Sequence, residues 1–231
     1  MNNFSTKTPF NGAPTGIATF AKCPICTDLN NINADIAIIG APFDLAIQGR
    51  TGARLGPRGI RFSSTRFSYK PGGSYDPERK AMYLDTNRWR IVDCGDVDYV
   101  PGDIDTTFTN LTEAIRLIVS QNVMPVTLGG DHSITFPIVK GLEAVGHFDI
   151  IQIDAHLDWT ASVAGQTRSN GSPMRNSAGL PYVGKIIHLR IRGIGSSGPS
   201  DFADAQAHDE KIYTVKETRA VVINDIIKDL Q

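Results

Sequence analysis

Short apolar runs alternate with longer stretches whose apolar residues recur at helical spacing. Residues 35–40 (DIAIIG) read as a buried strand that stops at Ala41-Pro42, and residues 90–94 (RIVDC) as a second, followed by the acidic Gly95-Asp96-Val97-Asp98. Between them, from Asp44 to Tyr75, the chain is rich in Gly, Arg and Ser. Only Gly56-Pro57-Arg58-Gly59-Ile60-Arg61 suggests a short helix there. Over 104–121, Ile104, Phe108, Leu111, Ala114, Ile115, Leu117 and Ile118 fall on one helical face. Residues 123–128 (VMPVTL) predict a strand whose proline points to an edge or an irregular pairing, and Ser133 is placed to cap the helix that runs on to Leu142. Residues 148–153 (FDIIQI), 185–191 (KIIHLRI) and 211–215 (KIYTV) complete the strands. A Gly/Ser/Asn/Arg-rich loop fills 160–179, and a final helix over 217–230 would turn Val221, Val222, Ile226 and Ile227 inward. Strand and helix alternate throughout, which predicts an α/β fold with a mainly parallel sheet. No linker, repeat or low-complexity block interrupts it, so a single domain over 1–231 is expected.

Composition adds exclusions. With 23 Lys+Arg against 24 Asp+Glu in 231 residues the net charge is −1, which excludes nucleic-acid binding by bulk charge. The arginines between Arg50 and Arg66 then read as parts of a structural loop or a subunit contact. Met1 to Gly16 is polar, with no apolar core of the kind a signal peptide needs, and nothing later approaches the roughly 20 apolar residues of a spanning helix. Together with three cysteines this points to a cytoplasmic protein that needs no membrane. Cys23-Pro24-Ile25-Cys26 has redox or zinc spacing, but no second pair follows it.

The chemistry gathers behind two strands. If the strand at 148–153 runs on, residues 154, 156 and 158 of Asp154-Ala155-His156-Leu157-Asp158 point to one side by the period-two rule, bringing two carboxylates and an imidazole together. Unneutralised, such carboxylates repel and one is driven to protonate; a divalent cation removes the conflict. Gly129-Gly130-Asp131-His132-Ser133, behind the 123–128 strand, adds a second imidazole, with glycines that let the backbone turn sharply. Carboxylate and imidazole without thiolate suit manganese, iron, nickel, cobalt or zinc. Two ions bridged by a shared carboxylate can make a nucleophile from water near neutral pH. His188, inside an apolar strand, reads as a core histidine, and His147 and His208 as surface residues. Trp159 either walls a pocket or packs under the loop.

These two clusters, about twenty residues apart, resemble the first two metal-binding signatures of the ureohydrolases, the arginase and agmatinase family. Gly40-Ala41-Pro42-Phe43-Asp44, Gly52-Ala53-Arg54-Leu55-Gly56-Pro57-Arg58-Gly59-Ile60-Arg61 and Asp93-Cys94-Gly95-Asp96-Val97-Asp98 extend the resemblance from about residue 34 to the C-terminus. It implies a three-layer α/β/α fold and two Mn2+, with Ni2+, Co2+, Fe2+ or Zn2+ as alternatives. The implied reaction is hydrolysis of a small guanidino compound to urea and an amine through a metal-bridging hydroxide. Carried over, His132 and Asp158 would bind one ion and His156 the other, with Asp154 bridging; Asp131 would orient the loop. Homo-oligomers, trimers or hexamers, are implied as well.

Two departures qualify this. The family's third signature, a strand ending in Asp-x-Asp, would follow the helix at 217–230, and the sequence stops at Gln231. The sequence therefore reads as truncated at its C-terminal end, and the alternative is a non-catalytic subunit that supports a partner chain in a hetero-oligomer. Where agmatinase-like members carry a His-Gly pair, Ser169-Asn170-Gly171-Ser172-Pro173 stands here. Asn170 and Ser172 become the candidate substrate-binding residues; Asn170 can hydrogen-bond a substrate but cannot shuttle a proton at pH 7. No Ser-x-Asn-x-His pattern lies between 159 and 171, which places the chain nearest the agmatinase or guanidinobutyrase branch, acting on agmatine, guanidinobutyrate or a similar compound.

Overall fold

A computed structural model describes residues 13–67, 72–83, 85–195, 197–220, 226 and 228. Within it the chain divides into two compact units, one formed by residues 1–44 and 52–130 and the other by 45–51 and 131–231.

The first unit is built on three parallel strands, β1 (Ile36–Ala41), β4 (Ile91–Asp96) and β5 (Met124–Gly129), in the order β4-β1-β5. Pro125, which cannot donate to a ladder, sits in an edge strand as its chemistry requires. Helix α1 (Gly56–Ser64) starts with Pro57 in its first turn, and α2 (Ile104–Ser120) is capped by Asp103, whose side chain accepts from Thr106 N. Of the apolar residues assigned to the inward face of α2, Phe108, Leu111, Ala114, Ile115 and Ile118 are buried. A small antiparallel hairpin, β2 (Ser74–Asp76) with β3 (Ala81–Tyr83), lies in a segment that the apolar pattern leaves as loop.

The second unit carries another parallel sheet, β6 (Phe148–Ile153), β7 (Val183–Ile191) and β8 (Lys211–Thr214), in the order β6-β7-β8. It also contains α3 (Thr135–Gly141), α4 (Pro173–Ala178), α5 (Pro199–Ala207) and α6 (Val215–Ala220). Helices α4 and α5 are not marked by helical apolar periodicity. Each instead begins at a proline, the residue whose fixed φ suits a first helical turn. The expected terminal helix is seen as α6. Ile226 is buried against Ile187 and Leu189 as anticipated, whereas Val221, Val222 and Ile227 lie outside the described residues.

One face of this sheet packs Phe148, Ile150 and Ile186 onto a core of Val139, Leu157, Trp159, Met174, Val183 and Ala205. That face inverts the apparent logic of FDIIQI: Gln152 is 5% exposed while Ile153 is 71% exposed. No helix among the described residues is long and apolar enough to cross a membrane.

Candidate metal centre

Both His-bearing clusters follow the carboxyl end of a strand, where α/β sheets place their ligands. β6 ends at Ile153, and residues 154–156 bend away from it, so the side chains do not converge by strand alternation. The bend and the left-handed backbone of Asp158 (φ 54°) arrange them instead. Aspartate tolerates that conformation better than most residues. The carbonyl of Asp158 accepts hydrogen bonds from Met174 N (3.2 Å) and Arg175 N (3.4 Å), so the first turn of α4 holds the loop from behind.

His132, Asp154 and Asp158 each offer a ligand atom, and these atoms all lie within 4.8 Å of one another. His132 Nδ1 is 2.8 Å from Asp158 Oδ2 and 3.8 Å from Asp154 Oδ2. Burial of the imidazole opposes its charging, but the hydrogen bond to Asp158 and the carboxylates of Asp158, Asp154 and Asp131 outweigh that. Its pKa is held above the ordinary histidine range. His156 falls outside this group: it is exposed, and its Nδ1 is 3.5 Å from Asp154 Oδ1. Its backbone N–H donates to that same carboxylate oxygen at 2.8 Å.

The partners of Asp154 and Asp158 among the described residues are imidazole, amide and backbone N–H groups, with no Lys or Arg. Two carboxylates and one imidazole without a fixed cation suit a divalent ion that favours oxygen and nitrogen ligands.

Around this trio the loop is fixed by groups that do not join it. Asp131 Oδ1 accepts from Ser133 N (2.9 Å) and from the Ser133 hydroxyl, and Oδ2 accepts from Ala46 N (3.2 Å). Asp131, rather than Ser133, is therefore the cap of the turn that leads into α3. Gly130, at φ 64°, lies so close to β1 that a Cβ there would meet Ala41 O at 2.4 Å. Its role is close packing against the end of β1 in the first unit.

Ser172 is fully buried and shares a hydrogen bond with Ser169 Oγ (2.9 Å), so its hydroxyl is committed to the loop. Asn170 differs: its N–H donates to Ala46 O (3.2 Å), and its buried Oδ1 has no partner. Trp159 packs under the loop, fully buried, with Nε1 donating to Asp204 at 2.7 Å. His188 is a buried core histidine, and His147 and His208 are exposed. All three cysteines are free.

One residue at this site escapes a motif search. Gln152 Nε2 donates to Asp158 Oδ2 (2.9 Å) and to His156 O (3.3 Å). Its one sequence signal is an amide inside an otherwise apolar run.

Comparison with known proteins identifies the family. The arginase family model matches residues 34–231. Guanidino acid hydrolase, mitochondrial, of Homo sapiens is 31% identical over 80% of this chain and 51% of its own length. Guanidinobutyrase of Pseudomonas aeruginosa is 32% identical over 78% and 56%. The chain thus spans about half the length of these relatives. Among solved structures, proclavaminate amidino hydrolase from Streptomyces clavuligerus superposes with a TM-score of 0.79 at 23% identity, covering 94% of this chain and 70% of that one. Trypanosoma cruzi formiminoglutamase with Mn2+ superposes at 0.71 with 22% identity, covering 86% and 65%. The mainly parallel α/β architecture is shared with these solved structures, and the family model covers most of the sequence: the chain belongs to the arginase family.

Proposed function

We propose that this chain carries the metal-binding and substrate-facing residues of a ureohydrolase acting on a small guanidino compound, in the agmatinase or guanidinobutyrase branch. The observation that carries this reading is the convergence of His132, Asp154 and Asp158 within 4.8 Å, at the end of a strand and with no built-in cation. His132 and Asp158 would hold one Mn2+, Asp154 would bridge, and His156 would serve the second ion by turning inward from its exposed position. Bound divalent cations supply the Lewis acidity that makes water a nucleophile near neutral pH.

The chain's own groups then bind and orient. A guanidinium presents only N–H donors, and Asn170 Oδ1 is a buried acceptor still without one. Ser172 shapes the loop that presents Asn170, through Ser169. The alternation of strand and helix from β1 to α6 supports reading residues 1–231 as one domain. Free thiols are consistent with a reducing, cytoplasmic setting, and self-association into trimers or hexamers belongs to the same reading.

The test is urea release from agmatine, guanidinobutyrate and arginine after manganese loading, with metal counted per chain. Turnover with two ions per chain supports the enzyme; no urea from any of the three, with one ion or none, overturns it. His156 favours a second reading, because it stands outside the three-residue group. On that reading the chain is a non-catalytic subunit that holds one ion and supports a partner chain, and one tightly bound Mn2+ without turnover is its signature.

A further inference from the structure

The core histidine and the buried amide form a continuous line to the metal cluster. Gln152 on β6 and His188 on β7 are registered neighbours in the parallel ladder, so their side chains stand side by side on one face of the sheet. His188 Nδ1 lies 2.5 Å from Gln152 Oε1. Gln152 Nε2 faces two acceptors, Asp158 Oδ2 at 2.9 Å and the carbonyl of His156 at 3.3 Å. Asp158 Oδ2 in turn meets His132 Nδ1 at 2.8 Å.

These contacts admit one orientation of each group. An amide turned the other way would press Oε1 against a carboxylate and a carbonyl, with no proton between them. Held as it is, Oε1 requires a donor, and the His188 proton therefore resides on Nδ1. The remaining nitrogen, Nε2, is buried without a partner, which suits a bare lone pair on a neutral ring. Burial keeps the ring neutral by lowering its pKa to about 4. The ring also packs against Trp159 in a T-shaped pair, with centroids 5.9 Å apart and planes at 78°.

From this geometry we infer that Gln152 and His188 are positioning residues of the metal centre: His188 fixes the Gln152 amide, and Gln152 clamps Asp158 and the His156 backbone into ligand geometry. The inference rests on the metal reading above. Asp158 occupies left-handed backbone, and a carboxylate there must be restrained if it is to meet an ion in one rotamer. Partners of this kind typically change metal affinity by about 10–100-fold when removed.

The experiment titrates Co2+ into the full chain and follows its visible absorption, with unfolding midpoints measured on the metal-free proteins. Wild type and Asp158→Ala fix the reference. Gln152→Leu is expected to weaken Co2+ binding about 10–100-fold and to change the absorption envelope. His188→Phe, which keeps the ring packing but loses the donor, should do the same to a smaller extent. His188→Asn, whose amide can again donate to Gln152 Oε1, should recover most of the loss.

A general loss of folding would not distinguish His188→Asn from His188→Phe in the spectrum, so that rescue separates positioning from packing. Unchanged affinity and spectrum in Gln152→Leu, or identical behaviour of the two His188 variants, overturns the inference while leaving the metal reading intact. A wild type that takes up no Co2+, or takes it up as well after Asp158→Ala, overturns the metal reading and this inference with it.

Discussion

Two strand ends in this protein are equally acidic and are treated in opposite ways. At the end of β4, Asp93 and Asp96 meet Arg61 from α1. Its guanidinium binds Asp93 through Nε (2.8 Å) and Nη2 (3.0 Å), Asp96 through Nη1 (2.5 Å), and the carbonyl of Gly95 at 2.7 Å. Phe20 N and Gly95 N complete the shell around Asp93, and Gly40 leaves the space, since a Cβ there would meet Asp96 Oδ1 at 1.8 Å. Burial of Arg61 opposes its charge, yet Asp93 and Asp96 outweigh it and raise its pKa further.

After β6, Asp154 and Asp158 have an imidazole, an amide and a backbone N–H. The first pair carries its counter-charge within the fold, and the second does not, which is the difference on which the proposed metal site rests.

The largest expected effect comes from removing the built-in cation. Arg61→Leu leaves Asp93 buried and unpaired and should cost about 3–5 kcal/mol in urea unfolding, whereas Asp158→Asn in metal-free protein should leave the midpoint nearly unmoved. A comparable loss in both variants would break the contrast.

Acid should then act on the second unit through His188. Burial lowers the His188 pKa from 6.5 to about 4. Between those values the unfolded chain binds a proton that the folded chain refuses. This contribution is complete above pH about 6.5 and is lost as pH falls toward 4, by of the order of 3 kcal/mol. Glu210, raised to about 7 by burial, and His132, also raised, act in the opposite direction in the same unit. The His188 share is therefore the protection in β6 and β7 peptides that wild type loses and His188→Phe keeps when hydrogen exchange is compared at pH 7.5 and pH 5. Equal loss around β4 would count against it.

Manganese sharpens the contrast from the other side. At a hundred times its Kd it should stabilise wild type by about 2.7 kcal/mol, read as a rise in Tm that EDTA reverses. Asp158→Asn should abolish the rise. The smallest effect tests the inverted face of β6: Ile153→Thr, at an exposed position, should change stability by less than about 0.5 kcal/mol, while Gln152→Leu impairs Co2+ binding at the neighbouring residue.

Much of this was legible because it is local. Apolar runs bounded by Gly and Pro give β1, β4, β5 and β6 within a residue or two, and the 3.6-residue period gives α2. The hairpin at 74–83 and helices α4 and α5 are short and lack an apolar period, so no pattern announces them. Ser133 and Asp131 are both good caps by residue type, and only the turn geometry assigns the role to Asp131. Trp159 left two readings open until its partner Asp204, 45 residues away, came into contact.

The sequence by itself determined the family, the alternation of strand and helix, and the donor types at 132, 154, 156 and 158, because these depend on residue identity at short spacing. Only the tertiary structure decided which acids are neutralised by an arginine, that His156 stands apart from the other three, and that Gln152 and His188 face inward toward Asp158. Charge compensation and hydrogen bonding act between atoms a few ångströms apart, and here those atoms come from positions as far apart as 61 and 93 or 152 and 188.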